Sequence, residues 1–467
     1  MNAIVKTKLQ IVIFSVILFL SFSSKGQQVT SMFDQMYKPE ELKEDIRYLK
    51  QQLEDQHPAL YWYIKKYKLN YKFDSLSKSI VVPISIGQFR YKLACVLASI
   101  GDGHMALLFD QNKLKTADIS KFDGSKAFPL MQFEYEIFDK KLYIAKSQDT
   151  LIKRGMEVLT IDNQPVSEIL PILAKGMPAD GHNTNFKYFL LKMAMLPDAY
   201  SALYGYKDTL SLQLKQGKVL SITLITSSSN PSKYIDTNKR KIMERAIPEK
   251  GQNAPALLRI KTFNKINDTL LSDFFAQLKR DTIQSLELDL RGNIGGDHSS
   301  MIKLFSFLIN KPAFFAKIYK RNILTKADED LHLGIEVPIK PAENHFDGKL
   351  YIYTNEGTFS AASLLAASLQ AIKRGTIIGQ ETGGGRNGCI GGSYVQSTLP
   401  HTGLLLKFGQ LQIKIPVQSK LSGRGVMPDV KTVYTVKDFL KREDLEHKWL
   451  VEQIWPEAFK RLWPGGK

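Results

Sequence analysis

Apolar and polar positions change rhythm three times along the chain. From Pro39, residues Leu42, Ile46, Leu49 and Leu53 recur at three- and four-residue steps with charges between them, the period of an amphipathic helix. This pattern runs to about Lys68, broken at Pro58 and followed by the aromatic cluster Ala59-Leu60-Tyr61-Trp62-Tyr63. Ile86 to Ile100 predicts a second helix, closed by Gly101-Asp102-Gly103-His104. Residues 27–112 are therefore expected to form a small N-terminal helical domain.

The second rhythm is alternating. Phe133 to Ala145 predicts strand, turn and strand around Asp139-Lys140-Lys141, and Gly155 to Val166 a strand, a turn and a short strand. Leu210–Leu214 and Val219–Thr226 flank Gln216-Gly217-Lys218 as a hairpin. Residues 113–230 thus read as a β domain, followed by a polar Ser/Asn/Lys linker from Ser227 to Lys241.

In the third region strands and helices take turns. Strands are expected at Ala256–Thr262, Ser285–Leu290, Leu350–Thr354 and Gly375–Ile378, with helices at Leu270–Leu278, Met301–Asn310 and Ser360–Lys373. Such alternation builds a largely parallel sheet covered by helices. Hairpins follow from Val395 to Val417, then a helical tail over 436–467. The fold class is α/β, with residues 231–435 as its core. Internal repeats and low-complexity tracts are absent from the sequence.

Composition adds a compartment. Lys6 and Lys8 precede an apolar run from Leu9 to Phe22, and Ser24-Lys25-Gly26 follows, the layout of a secretory signal peptide over residues 1–26. The run is too short to span a bilayer comfortably, and no cysteine near its exit offers a lipid attachment point. Cleavage after Gly26 would leave an exported chain, periplasmic or extracellular, without an integral membrane span.

The formal net charge is +18, and removing Lys6, Lys8 and Lys25 with the signal peptide leaves +15. Lysines and arginines are scattered and interleaved with acids, as in Glu41 to Arg47. Nucleic acid is therefore not an expected partner; the charge reads as solubility and attraction to an anionic envelope. The two cysteines, Cys95 and Cys389, are expected as free thiols, and neither has metal-site spacing.

Three segments carry candidate chemistry. Leu286 to Gly296 runs a strand into the glycine-rich turn Gly292-Asn293-Ile294-Gly295-Gly296 before a helix. Ligands bind at such strand ends in open α/β sheets, and glycines let backbone N–H groups approach a negative atom. The turn lacks both the Gly-Lys-Ser/Thr of a phosphate loop and the dinucleotide spacing. Ser360 lies where Tyr351–Thr354 turns into an Ala- and Leu-rich helix, and Ala361 N–H at the helix start could stabilise an oxyanion. A serine there is also an ordinary helix cap, and the Gly-x-Ser-x-Gly elbow of α/β-hydrolases is missing. His104, in its glycine turn, is a residue type suited to act as base near neutral pH, although a lone histidine is more often structural.

Taken together, these segments resemble the S41 peptidase family of C-terminal-processing (tail-specific) and tricorn-like proteases. Asp289-Leu290-Arg291-Gly292-Asn293-Ile294-Gly295-Gly296 is similar to the family's Asp-Leu-Arg-x-Asn-x-Gly-Gly motif. Gly357-Thr358-Phe359-Ser360-Ala361-Ala362 resembles its nucleophile segment, and Ile378-Gly379 through Thr382-Gly383-Gly384-Gly385 its glycine loop. Gly425-Val426-Met427-Pro428-Asp429 resembles its closing motif, and Gly155–Val166 the centre of a PDZ domain. The resemblance implies a crotonase/ClpP-like core with a PDZ-like β domain and a serine-type peptidase acting on peptide or protein.

It also implies the site. Ser360 would be the nucleophile and His104 the general base, with N–H groups of Ala361, Gly295 and Gly296 as oxyanion hole and no metal or organic cofactor. One branch of the family carries a catalytic lysine in the glycine loop, but Thr382 to Gly388 holds only Arg386, which stays charged and cannot accept a proton. The tricorn-like branch uses histidine beside a helper serine, and a distant glutamate. Here Gly103 takes the serine's place and Ser422 the glutamate's, so Ser422 and Asp102 are the candidates for orienting His104. A catalytically weak or inactive peptide-binding protein on the same scaffold is the alternative.

Overall fold

The strands Ala256–Ile260, Ser285–Asp289 and Lys349–Thr354 lie side by side in the centre of a six-stranded sheet. They are rich in Leu and Ile, and on one face of the sheet Leu258, Leu286, Leu288 and Ile352 expose at most 2% of their surface. Each such side chain contributes roughly 1.5–3 kcal/mol relative to an exposed one. Thr376–Gly379 and Val430–Lys431 extend the parallel run, and Met243–Ala246 closes the other edge antiparallel. The helices Asp268–Arg280, His298–Leu308 and Ala361–Ala371 make the connections. This computed structural model describes residues 35–110, 128–227, 242–249, 254–331, 337–416, 422–454 and 456. The segment expected to be a signal peptide, nearly all of the polar linker and the end of the tail lie outside the described residues.

The helix Ala361–Ala371 is buried along nearly its whole length, which explains its alanines: small side chains let it pack tightly over the sheet. That packing places its first turn, and hence Ser360, at the carboxyl end of Lys349–Thr354.

A second sheet is built on the hairpin Gly388–Thr398 and Leu404–Lys414, with Lys317–Arg321 and Asp328–Leu331 continuing one edge. The strand Ala106–Phe109, two residues past His104, pairs antiparallel with Leu404–Lys407. This ladder carries the His104 turn onto the core. The helices Pro39–Gln56, Lys66–Ser79 and Ile86–Leu97 pack with Val395, Leu399, Leu404, Leu406 and Phe408 in one apolar cluster. The expected N-terminal helical domain therefore shares its core with the hairpin and does not close one of its own. Lys66–Ser79 is a helix that the pattern up to Lys68 does not delimit.

Asp45 fastens this junction. It is fully buried on Pro39–Gln56 and accepts from the backbone N–H groups of His401 and Thr402, both at 2.9 Å, and from Thr402 Oγ1 at 2.6 Å. Asp45→Ala strands these donors and is expected to cost about 3 kcal/mol, read as a lower urea midpoint at unchanged slope.

The third sheet takes Phe133–Phe138, Lys141–Ser147, Glu157–Ile161, Thr209–Gln216 and Lys218–Ile225 in that order, with Gln164–Pro165 beside Glu157–Ile161. The expected hairpins are present, but this region also carries the helices Val166–Lys175, Asn185–Leu190 and Leu196–Tyr204, the last two joined through a π-helical turn at Leu191–Met195. Lys192 on that turn is half-buried between Glu136 at 2.5 Å and Glu356 at 2.7 Å. It thereby links the third sheet to the loop that leads into Ser360.

Candidate active site

Ser360 stands in a backbone conformation that serine rarely adopts, φ 52° and ψ −127°, at a cost of about 1–3 kcal/mol. The preceding loop enforces it. Asn355 Oδ1 accepts from Gly292 N–H at 2.8 Å and Gly357 N–H at 3.0 Å, and Thr358 Oγ1 donates to Leu290 O at 2.9 Å. Phe359 N–H donates to Asn293 O at 2.9 Å. The helix-cap reading of Ser360 fails on one observation: its hydroxyl makes no capping hydrogen bond. Its Oγ lies 2.9 Å from His104 Nε2.

His104 is held from its own turn and from above. Its N–H donates to Asp102 Oδ1 at 2.8 Å, and Gly103 N–H to Asp180 Oδ1 at 2.9 Å. Phe359 lies against the imidazole with ring centroids 4.6 Å apart and stacks in turn on Phe186 at 4.2 Å. A Cβ at Gly103 would come within 2.7 Å of Phe359 Cζ and 2.8 Å of Asp180 Oδ1. The place of the helper serine is thus filled by an aromatic ring and a carboxylate.

Burial lowers the His104 pKa from 6.5 to about 4, with Asp102 opposing the shift and His298 adding to it. The imidazole is neutral and able to accept a proton at all higher pH. Nucleophile reactivity should therefore be abolished only as pH falls through about 4, not through the 6.5 of free imidazole. The pH profile of the inactivation rate by a serine-directed reagent reads this directly.

Of the proposed oxyanion donors, Ala361 and Gly296 offer N–H groups without a protein acceptor among the described residues. Gly295 does not, because its N–H donates to Asn293 Oδ1 at 2.8 Å. Its part is steric: a Cβ there would lie 2.6 Å from Ser360 Cβ and 3.0 Å from both Ser360 Oγ and Ala361 N. Gly295 leaves the space beside Ser360 Oγ and Ala361 N open, and with φ +102° it lies in a region that favours glycine. The first half of this motif does other work. Asp289 and Arg291 pair with each other, and Arg291 reaches Asp444 and Glu446, fixing the C-terminal helix to the sheet.

Neither expected orienting residue hydrogen-bonds the free side of the imidazole. Ser422 is exposed on a turn whose Gly423 packs on Gly181 and His182, and His104 Nδ1 is buried without a hydrogen-bond partner. Asp102 Oδ1 comes to 4.0 Å of Nδ1, while its Oδ2 meets His57 Nε2 at 3.1 Å.

Asp180 is the residue that the sequence did not single out. It comes from the β-rich region, 76 positions after His104, with only a neighbouring Gly-His-Asn as a cue. A ring nitrogen of His104 and one carboxylate oxygen each of Asp102 and Asp180 lie within 4.8 Å of one another, the one grouping of metal-ligand side chains among the described residues. Both carboxylates are already engaged by N–H groups and His57, as hydrogen-bonded acids and not as an open ligand set. Cys95 and Cys389 are free thiols, the latter buried.

Residues 255–432 match the model of peptidase family S41. A probable CtpA-like serine protease of Staphylococcus haemolyticus (strain JCSC1435) is 25% identical over 218 residues, 46% of this chain and 40% of the relative. One of Staphylococcus aureus (strain COL) is 25% identical over 217 residues, with the same shares. The chain spans less than half the length of these relatives. Among solved structures, mature CPAF superposes with a TM-score of 0.63 at 13% identity, over 90% of this chain and 98% of that one. That likeness shows a shared fold.

Proposed function

We propose that this chain, whose residues 255–432 form a peptidase family S41 domain, is an exported serine peptidase working through an acyl-enzyme. The observation that carries the reading is the 2.9 Å contact between Ser360 Oγ and His104 Nε2, made by a hydroxyl that does not cap its helix. His104 takes the Ser360 proton as Oγ attacks a peptide carbonyl. The developing oxyanion sits between Ala361 N–H at the start of a buried helix and Gly296 N–H in the glycine turn, where fixed dipoles act without reorganising. The protonated imidazole then gives its proton to the leaving amine, and water releases the acyl group by the reverse sequence.

The restrained serine supports this reading. A residue held at an unfavourable φ by Asn355, Thr358 and Phe359 is oriented before substrate arrives. Residues 113–230 are read as a PDZ-like module that would present peptide to the site, and the signal-like pattern over residues 1–26 supports an enzyme working outside the cytoplasm.

The reading is tested by incubating the protein with a mixed peptide library and identifying the products by mass spectrometry. New peptide termini are expected with wild type and none with Ser360→Ala. Peptides retained but left intact by wild type would instead establish the inactive binding protein.

A further inference from the structure

Asp180 reaches the site without belonging to any motif that marks it. It is 2% exposed, and each carboxylate oxygen accepts one main-chain N–H: Oδ1 from Gly103 and Oδ2 from Gly385, both at 2.9 Å. Gly103 immediately precedes the base. Gly385 belongs to the glycine loop, whose Gly384 lies so close under the nucleophile that a Cβ there would come 3.1 Å from Ser360 N and 2.0 Å from Ser363 Oγ. One buried carboxylate thus ties the turn that carries His104 to the loop that supports Ser360.

The imidazole itself asks for such a partner. With Nε2 accepting from Ser360, the neutral ring carries its proton on Nδ1. That atom is buried and has no hydrogen-bond partner. When the ring takes the Ser360 proton it becomes a buried cation, which is costly without compensating charge. Asp102 stands 4.0 Å away, but it also serves His57 and the backbone of His104.

We propose that Asp180 is a positioning residue for His104, acting on the reading of Ser360 and His104 as nucleophile and base. It clamps the base-bearing turn to the glycine loop and, with Asp102, supplies the negative charge that Nδ1–H and then the imidazolium require. The transferred proton moves from Ser360 Oγ to His104 Nε2, and the Nδ1 proton stays on the ring. This assembly replaces the serine and glutamate expected near the histidine by two buried aspartates.

The groups facing Asp180 are Asp102, His104, Tyr63 and Cys389. Burial raises its pKa to about 7, Asp102 adds to the rise, and the N–H groups of Gly385 and Gly103 oppose it. Its charge is present above about 7 and is lost as pH falls through that value.

The test is the rate of fluorophosphonate labelling of the full chain as a function of pH. Wild type should slow partially as pH falls through about 7 and stop as it falls through about 4. Asp180→Asn keeps the volume of the side chain but not its charge; it should label about 10²-fold more slowly at pH 8 and lose the step near 7. A measurement on unaltered protein guards against a folding defect in the variant: the ring nitrogen signals of ¹⁵N-labelled His104 should shift as pH crosses about 7. Labelling of Asp180→Asn at the wild-type rate, a slowed variant that keeps the step, or a His104 signal indifferent to that range would each overturn the proposal while leaving the peptidase reading intact. A wild-type protein that never labels would remove both.

Discussion

Ser360→Ala will lower peptide turnover by about 10⁶-fold, leaving only the acceleration that the oxyanion donors and substrate binding supply. The size of the loss follows from geometry. Ser360 Oγ is the atom at 2.9 Å from His104 Nε2, and no other hydroxyl is recorded on that nitrogen among the described residues. His104→Ala should cost nearly as much, because a hydroxyl without a base is a weak nucleophile at neutral pH. The double variant should be no worse than either single one, since the two residues act as a unit. Comparing kcat for cleavage of one product-defined peptide across the three variants checks both statements. Additive losses would mean that the two side chains act independently.

The second large effect is expected at a residue with no side chain. Gly295→Ala should reduce kcat by about 10²- to 10³-fold, the loss typical of a disabled oxyanion hole. The new methyl would lie 2.6 Å from Ser360 Cβ and 3.0 Å from Ala361 N, in the space assigned to the oxyanion in the proposed mechanism. It would also strain a backbone at φ +102°, so a loss of about 1–3 kcal/mol in stability should accompany the kinetic effect. Steady-state kinetics and a denaturant titration on the same preparation separate the two. A fall in stability with kcat retained would show that the oxyanion lies elsewhere.

Several features were legible in the sequence because they are local. Strand, glycine turn and helix follow one another within Leu286–Leu308 and again within Lys349–Ala371, and their order places Ser360 and Gly295 at neighbouring strand ends. His104 was legible as a candidate through its glycine turn, although only the ladder between Ala106–Phe109 and Leu404–Lys407 shows how it meets a serine 256 positions later. Asp180 and His57 were not legible, because they act through hydrogen bonds made across the tertiary fold, two at Asp180 and one at His57. At Gly295 the glycine was evident, but the bond its N–H makes to Asn293 Oδ1 within the turn depends on a side-chain rotamer that the sequence does not give.

Errors among the elements have similar causes. Lys66–Ser79 presents only Leu69, Phe73 and Leu76 to the core, too sparse a stripe to stand out after Pro58 and the aromatics. Val166–Lys175 has a clear helical period in Val166, Ile169, Leu170 and Leu173, which its strand-rich surroundings obscured. Lys317–Arg321 and the edge strand Asp328–Leu331 are short and rich in charged residues, with little hydrophobic alternation to announce them.

The central claim is that Ser360 is an activated nucleophile, and covalent labelling addresses it most directly. After exposure to a fluorophosphonate at pH 8, intact-mass analysis and peptide mapping should find one adduct, on Ser360, lost in Ser360→Ala and strongly reduced in His104→Ala. An unlabelled wild-type protein, or equal labelling of wild type and Ser360→Ala, would contradict the account.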